Sequence, residues 1–248
     1  MSSVLQRSSP TRDVIDALRH AQKPSLGTPA YSRWVNRPLA RRVTAFAFRA
    51  GMTPNGATAV SATLSAAAIA LIVVATPTNA VGAAVALLLA AGYVWDSVDG
   101  QIARLTRTGS PQGEWLDHTV DCVKTTALHL SVLVSFYRHP SPDAPLALPL
   151  VYTLVATVLY FGLVLTPKLR PAARQMQADG HENPLRPWLL LPTDYGALCL
   201  VFLAFGTRPL FSALYGAFAL VTVLLLLAAW RKWWRELRPA PPAASSPR

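Results

Sequence analysis

Hydrophobic positions in this chain run in long blocks, not in alternating or heptad patterns. Six apolar stretches, at about 57–76, 80–103, 117–137, 146–167, 187–206 and 209–230, each reach the roughly 20 residues a helix needs to cross a hydrocarbon core. Short punctuated links separate several of them: Thr76-Pro77-Thr78-Asn79, His139-Pro140-Ser141-Pro142 and Gly206-Thr207-Arg208-Pro209. Ahead of the blocks, residues 31–52 interleave Arg33, Arg37, Arg41, Arg42 and Arg49 with Trp34, Val35, Leu39, Val43, Phe46 and Phe48. That pattern predicts an amphipathic helix in the membrane interface, its aromatic and aliphatic side chains dipping into lipid. Thr53-Pro54-Asn55 breaks it, since proline opens a helix readily and sits poorly inside one. The first thirty residues are polar and hold no apolar run of the kind a secretory signal needs. The expected architecture is all-α and integral to a membrane. A polar segment spans 1–30, an interfacial helix 31–52, a domain of six transmembrane helices 53–237, and a disordered Pro/Ala/Ser-rich tail 238–248.

Composition supports this reading. Of 248 residues, 52% are hydrophobic and 14% charged, where a soluble domain carries about a quarter charged. An intrinsically disordered chain is excluded, and a water-soluble globule is disfavoured. The net charge of +11 would point to nucleic acid in a soluble protein. In an apolar chain it points to an anionic membrane surface, and no nucleic-acid partner is expected. The basic residues are also placed asymmetrically. Nine lie in 1–52, two in 104–116, four in 168–186 and five after 230, against only Arg138 and Arg208 in the opposite links. The positive-inside rule then gives a multi-pass protein of the cell membrane with both termini cytoplasmic. Cys122 and Cys199 lie in apolar stretches without metal or redox spacing, which reads as buried thiols.

The twelve acids carry the chemistry. Asp96, Asp99, Glu114, Asp117 and Asp121 fall within one 26-residue window at the cytoplasmic ends of the second and third stretches. Asp96 and Asp99 (i, i+3) share one helical face, and Asp117 and Asp121 (i, i+4) share another. Two helices joined by a short loop bring these four carboxylates together, and such a cluster at membrane depth requires neutralisation. An all-oxygen set suits Mg²⁺ or Mn²⁺, as a pair of ions. Gly100, Ala103 and Gly113 leave room for a ligand near the backbone, and Arg104 offers a planar fork suited to phosphate. Phosphoryl transfer on a substrate shared between membrane and water fits these residues. A membrane ion pathway lined by the same acids, in a transporter or scaffold, fits them as well.

The window Asp96-x2-Asp99-Gly100-x2-Ala103-Arg104-x8-Gly113-x3-Asp117-x3-Asp121 resembles the signature of the CDP-alcohol phosphatidyltransferase family at every fixed position. The stretch Thr53-Pro54-Asn55-x2-Thr58 is similar to the way that family begins its first membrane helix. The resemblance implies attack of an alcohol on the β-phosphorus of a CDP-linked donor such as CDP-diacylglycerol, with release of CMP. By motif position Asp96, Asp99 and Asp117 would hold metal, and Asp121 would touch metal and act as general base. Gly100, Ala103 and Gly113 would make room for the nucleotide. Arg104 and Ser110 would bind the CDP portion, with Asn55 and Thr58 nearby; Ser110 reads equally as a turn residue beside Pro111. The implied partners are a CDP-linked donor and an alcohol acceptor, one of them a lipid, and a second copy of the chain as a homodimer.

The donor and acceptor stay open at this level. Gly113-Glu114-Trp115-Leu116-Asp117-His118 resembles the choline/ethanolamine phosphotransferase branch, in which a soluble CDP-alcohol donates to a lipid hydroxyl. Lys23-Pro24 and Tyr31-Ser32-Arg33-Trp34-Val35-Asn36-Arg37-Pro38 resemble members that use inositol phosphate, but Cys122 stands where many of those carry Arg. Lys124 either binds an acceptor phosphate or balances the acids. Lys168, Arg170 and Arg174 read as a positive-inside flank or an anion site. Asp194 reads as a helix cap or a contact with the polar site, and His118 and His129 as structural or as auxiliary acid/base groups.

Overall fold

The computed structural model describes residues 7–21, 28–170, 187, 191 and 194–238. The described residues form helices and turns, with no strand among them. In chain order the helices are α1 (Thr11–His20), α2 (Arg37–Arg49), α3 (Pro54–Val74), α4 (Asn79–Thr106), α5 (Pro111–Arg138), α6 (Ala147–Leu169), α7 (Tyr195–Val201) and α8 (Arg208–Glu236). A wide helical turn, Ser32–Asn36, leads into α2, and a tight one, Phe202–Ala204, extends α7. The tail and most of the link between α6 and α7, including Arg174, lie outside the described residues.

Polar caps set where the long helices begin. Thr53 accepts from Gly56 N–H (3.1 Å) ahead of Pro54, and Thr78 accepts from Val81 N–H (3.2 Å). Ser110 accepts from Gly113 N–H (3.1 Å) ahead of Pro111. Each satisfies a donor that a helix start leaves without an internal partner, and proline at the first position has no N–H to lose. The third apolar stretch therefore belongs to a helix that starts at Pro111, six residues before the apolar block.

Among the described residues four helices, α3, α4, α6 and α8, are long and apolar enough to cross a membrane. Helix α5 is as long as α4, but its first half carries Glu114, Asp117, Asp121 and Lys124. Helix α4 packs against α2, α3 and α7; α5 lies against α3 and α6, and α8 against α6. The α3–α4 contact is close because Gly92 sits over Ser61 and Ser65; a Cβ there would lie 2.8 Å from Ser65 Oγ. The largest core is aromatic, with Phe136, Phe202, Phe205, Phe211 and Tyr215 fully buried between α5, α7 and α8.

The N-terminal region departs from the sequence expectation. Residues 31–52 do not form one helix with all its apolar side chains outward. Trp34, Val35, Leu39 and Phe46 are exposed, but Phe48 is buried against Val14 and Leu18, and Val43 packs on Ala57, Val94 and Val98. The partner of Phe48 is α1, an amphipathic helix inside the segment read as merely polar: Val14 and Leu18, four residues apart on one face, are buried, and Ile15 packs beside them.

Candidate active site

Two helices supply the carboxylates. The turn between them is closed by Arg107 in the left-handed conformation (φ 56°), with Thr108 N–H bonded to Ala103 O at 3.0 Å, and by the Ser110 cap. It folds α5 back along α4, so that Asp99 lies against Asp117 and Asp96 against Asp121. Helix α3 braces this pairing: Thr58 donates its hydroxyl to Asp99 Oδ2 at 2.7 Å, and Ser61 lies 3.5 Å from Asp96 Oδ1. The Gly100 N–H also donates to Asp99.

Lys124 is set into the cluster. Its ammonium, on a side chain only 12% exposed, pairs with Asp96 and with Asp121 (2.7 Å), and donates to Ser61 Oγ at 3.2 Å. Among the described residues Lys124 is the one ammonium paired directly with these carboxylates. Donor atoms of Asp117, His118 and Asp121 lie within 4.8 Å of one another. The set is hard oxygen with one imidazole, which fits Mg²⁺ or Mn²⁺.

A cavity of about 520 Å³ opens beside the carboxylates. Asp99 and Asp117 bound it, and Thr58, Gly100, Ala103, Arg104, Ser110 and Gly113 line it. Asn55 borders it through Gly113, whose added Cβ would lie 3.5 Å from Asn55 Oδ1. At Gly100 the same Cβ would lie 3.1 Å from Arg104 Nη1, so the guanidinium passes directly over that glycine. On the α2 side Arg37 joins Arg104, Asp96 and Asp99 around a smaller opening. The sequence had placed Arg37 in the interfacial helix and in the Tyr31–Pro38 stretch that resembles inositol-phosphate-using members, but nothing in its spacing from the acids linked it to them.

Other candidate residues find specific places. Ser110 caps α5, and the Thr58 hydroxyl is committed to Asp99. His118 meets the Tyr160 hydroxyl, which lies 3.0 Å from its carbonyl and 3.3 Å from Nδ1. Glu114 bonds to Lys168 at 2.9 Å, which holds its carboxyl below the usual range. Arg170 pairs with Glu236 at 2.7 Å, so both described members of that basic run face acids of the chain itself. His129 is buried, bonded to the Tyr215 hydroxyl (2.7 Å) and stacked on Tyr152, and serves the core. Asp194 caps α7 through Gly196 N–H (3.0 Å) and also accepts from Ser32 N–H (2.7 Å) and Ser32 Oγ (2.9 Å), tying α7 to the turn before α2.

The family profile of CDP-alcohol phosphatidyltransferase matches residues 51–234, which span α3 to α8 and the whole carboxylate cluster. The chain belongs to the CDP-alcohol phosphatidyltransferase family. Its members are enzymes that transfer phosphatidyl groups, the chemistry of phospholipid synthesis. Two solved structures are similar in fold. Mycobacterium tuberculosis phosphatidylinositol phosphate synthase in complex with manganese and citrate is 20% identical, with a TM-score of 0.58 over 82% of this chain and 95% of that one. The same synthase with CDP-DAG bound is 20% identical, with a TM-score of 0.56 over 84% of this chain and 99% of that one. No curated protein matches the sequence. This CDP-alcohol phosphatidyltransferase thus shares its helical frame with a manganese-binding synthase while differing from it at four residues in five.

Proposed function

We propose that the protein transfers the phosphatidyl group of CDP-diacylglycerol to an alcohol at the cytoplasmic face of the cell membrane. One observation carries this reading: small residues and Arg104 line a nucleotide-sized cavity that ends on Asp99 and Asp117. Pockets for ligands of this size run from about 300 to 1,000 Å³. The likeness to a synthase with CDP-DAG bound supports the choice of donor.

In this reading Arg104 holds phosphate of the CDP portion, and Gly100, Ala103 and Gly113 let the nucleotide approach the helix backbones. Asn55, Thr58 and Ser110 form the rim. Asp96, Asp99, Asp117 and Asp121 hold divalent metal, a pair of Mg²⁺ or Mn²⁺ ions, which supplies positive charge to the pyrophosphate and to departing CMP. Asp121 takes the proton of the acceptor hydroxyl.

Six spans complete the topology: α3, α4, α6 and α8, together with α5 and the segment ending in α7. Helix α5 is less apolar because one face lines the site. The basic distribution puts both termini in the cytoplasm, and the exposed Trp34, Val35, Leu39 and Phe46 rest in lipid at the interface. The test is CMP release by purified protein with CDP-diacylglycerol or CDP-choline as donor. Release from CDP-diacylglycerol, abolished by chelator and restored by Mn²⁺ or Mg²⁺, is expected. Release from CDP-choline alone reverses donor and acceptor, and no release from either leaves the acids as an ion site.

A further inference from the structure

Helices α1 and α2 meet along a cleft of about 450 Å³ that shares no residue with the openings at the carboxylates. Helix α1 gives it Arg12, Asp16 and Arg19, whose steps of four and three residues put them in one stripe along the helix. One turn of α2 gives it Arg41 and Arg42. The cleft is held in shape from beneath. Val14 and Leu18 are buried with Ala45 and Phe48, and Arg49 donates to Thr11 Oγ1 at 2.8 Å.

Four guanidiniums thus line the cleft with a single carboxylate. Asp16 is taken by Arg19, at 2.9 Å. Among the described residues no carboxylate pairs with Arg12, Arg41 or Arg42. Burial, with Arg19 and Arg42 as neighbours, holds Arg41 below its usual value. Like charges gathered this closely repel unless an anion sits among them, and guanidinium forks match phosphate oxygens. The cleft also adjoins an apolar face. Arg42 stands three residues after Leu39 and four before Phe46, so it shares an edge of α2 with both. Both of those side chains are exposed, Phe46 at 71%.

We propose that this cleft binds the phosphate of an anionic phospholipid headgroup, whose acyl chains run along Leu39 and Phe46. The proposal uses the interfacial placement of α2 given above and none of the transfer chemistry. Arg12 on one wall, and Arg41 and Arg42 on the other, donate to the phosphate oxygens. A choline headgroup brings its own cation, which these guanidiniums repel, so the cleft selects a headgroup with net negative charge. Exposed apolar side chains beside the arginines favour a lipid over free phosphate, because the acyl chains add buried area that an inorganic anion lacks.

The test titrates purified full-length protein in neutral detergent with dihexanoyl-phosphatidylglycerol or dihexanoyl-phosphatidylcholine, counts bound lipid by native mass spectrometry, and then adds inorganic phosphate as competitor. Saturable binding of the phosphatidylglycerol, at least tenfold tighter than that of the phosphatidylcholine and displaced only by a large excess of phosphate, is expected. Arg41→Gln/Arg42→Gln should weaken that binding about tenfold or more through lost charge-assisted hydrogen bonds, and Arg12→Gln, on the other wall, should weaken it several-fold. Arg104→Ala, at the donor cavity, should leave it unchanged. Thermal unfolding without lipid, expected at or above the wild-type temperature because like charges have been removed, shows that the cleft variants are folded. Equal binding of the two lipids, or phosphatidylglycerol binding unmoved by the cleft variants, overturns the proposal and leaves the interfacial placement of α2 standing. Inorganic phosphate that binds as tightly as the lipid overturns the lipid assignment and that placement together.

Discussion

Lys124 sits one helical turn beyond Asp121 and places its ammonium 2.7 Å from that carboxylate, while also gripping Asp96 on the facing helix. A cation built into the acidic cluster holds α4 and α5 together before metal arrives. Lys124→Met should cost about 3 kcal/mol or more in chelator, since removing one partner of a buried pair strands the other charges. Mn²⁺ should recover most of that loss. Thermal unfolding with and without Mn²⁺ measures both, and equal losses in the two conditions would assign Lys124 to packing alone.

Asp121 closes the carboxylate cluster on α5, facing Asp96 and paired with Lys124 at 2.7 Å. Asp121→Asn should lower kcat by about 10²–10⁴ and weaken binding of a CDP analogue less than Asp96→Asn or Asp117→Asn does. Turnover near the wild-type rate would remove Asp121 as the base.

The Arg104 guanidinium lies over Gly100. Gly100→Val adds atoms where Arg104 and the nucleotide must both fit, so calorimetry with a CDP analogue and Mn²⁺ should detect no binding. Lost helix propensity cannot explain this, because valine suits a helix better than glycine. Arg104→Ala should weaken the same binding by about 1.5–3 kcal/mol through lost charge-assisted hydrogen bonds. Unchanged affinity in Gly100→Val would take the donor off this face.

Asp194 joins segments 162 residues apart. Asp194→Ala removes the α7 cap and leaves the Ser32 N–H buried without its acceptor, at a cost of about 3 kcal/mol. A melting temperature unchanged from wild type would mean that the turn before α2 is held elsewhere.

The basic asymmetry predicts that reporters fused after Ser246 or near Gln175 read cytoplasmic, and that one near Ser141 reads external. A cytoplasmic signal at Ser141 would mean that α5 or α6 does not cross.

The sequence by itself determined the helical class, the approximate positions of most long helices and the spacing of the four carboxylates, though not the start of α5 at Pro111. Each of these is local: apolar runs, caps such as Thr53 and Ser110, and i, i+3 or i, i+4 spacing all act within a few residues. It also carried the family, since the motif is one turn and its two flanking helices. Tertiary structure decided what joins distant segments. It buried Phe48 under α1, where Val14, Ile15 and Leu18 among ten residues are too few to stand out in the composition. It brought Arg37 to Arg104, committed Thr58 to Asp99, and gave Lys124 a structural partner on α4 as well as on its own helix. It also tied Asp194, at the start of α7, to Ser32, a pairing that depends on how α7 packs against α4, and no local spacing encodes such packing.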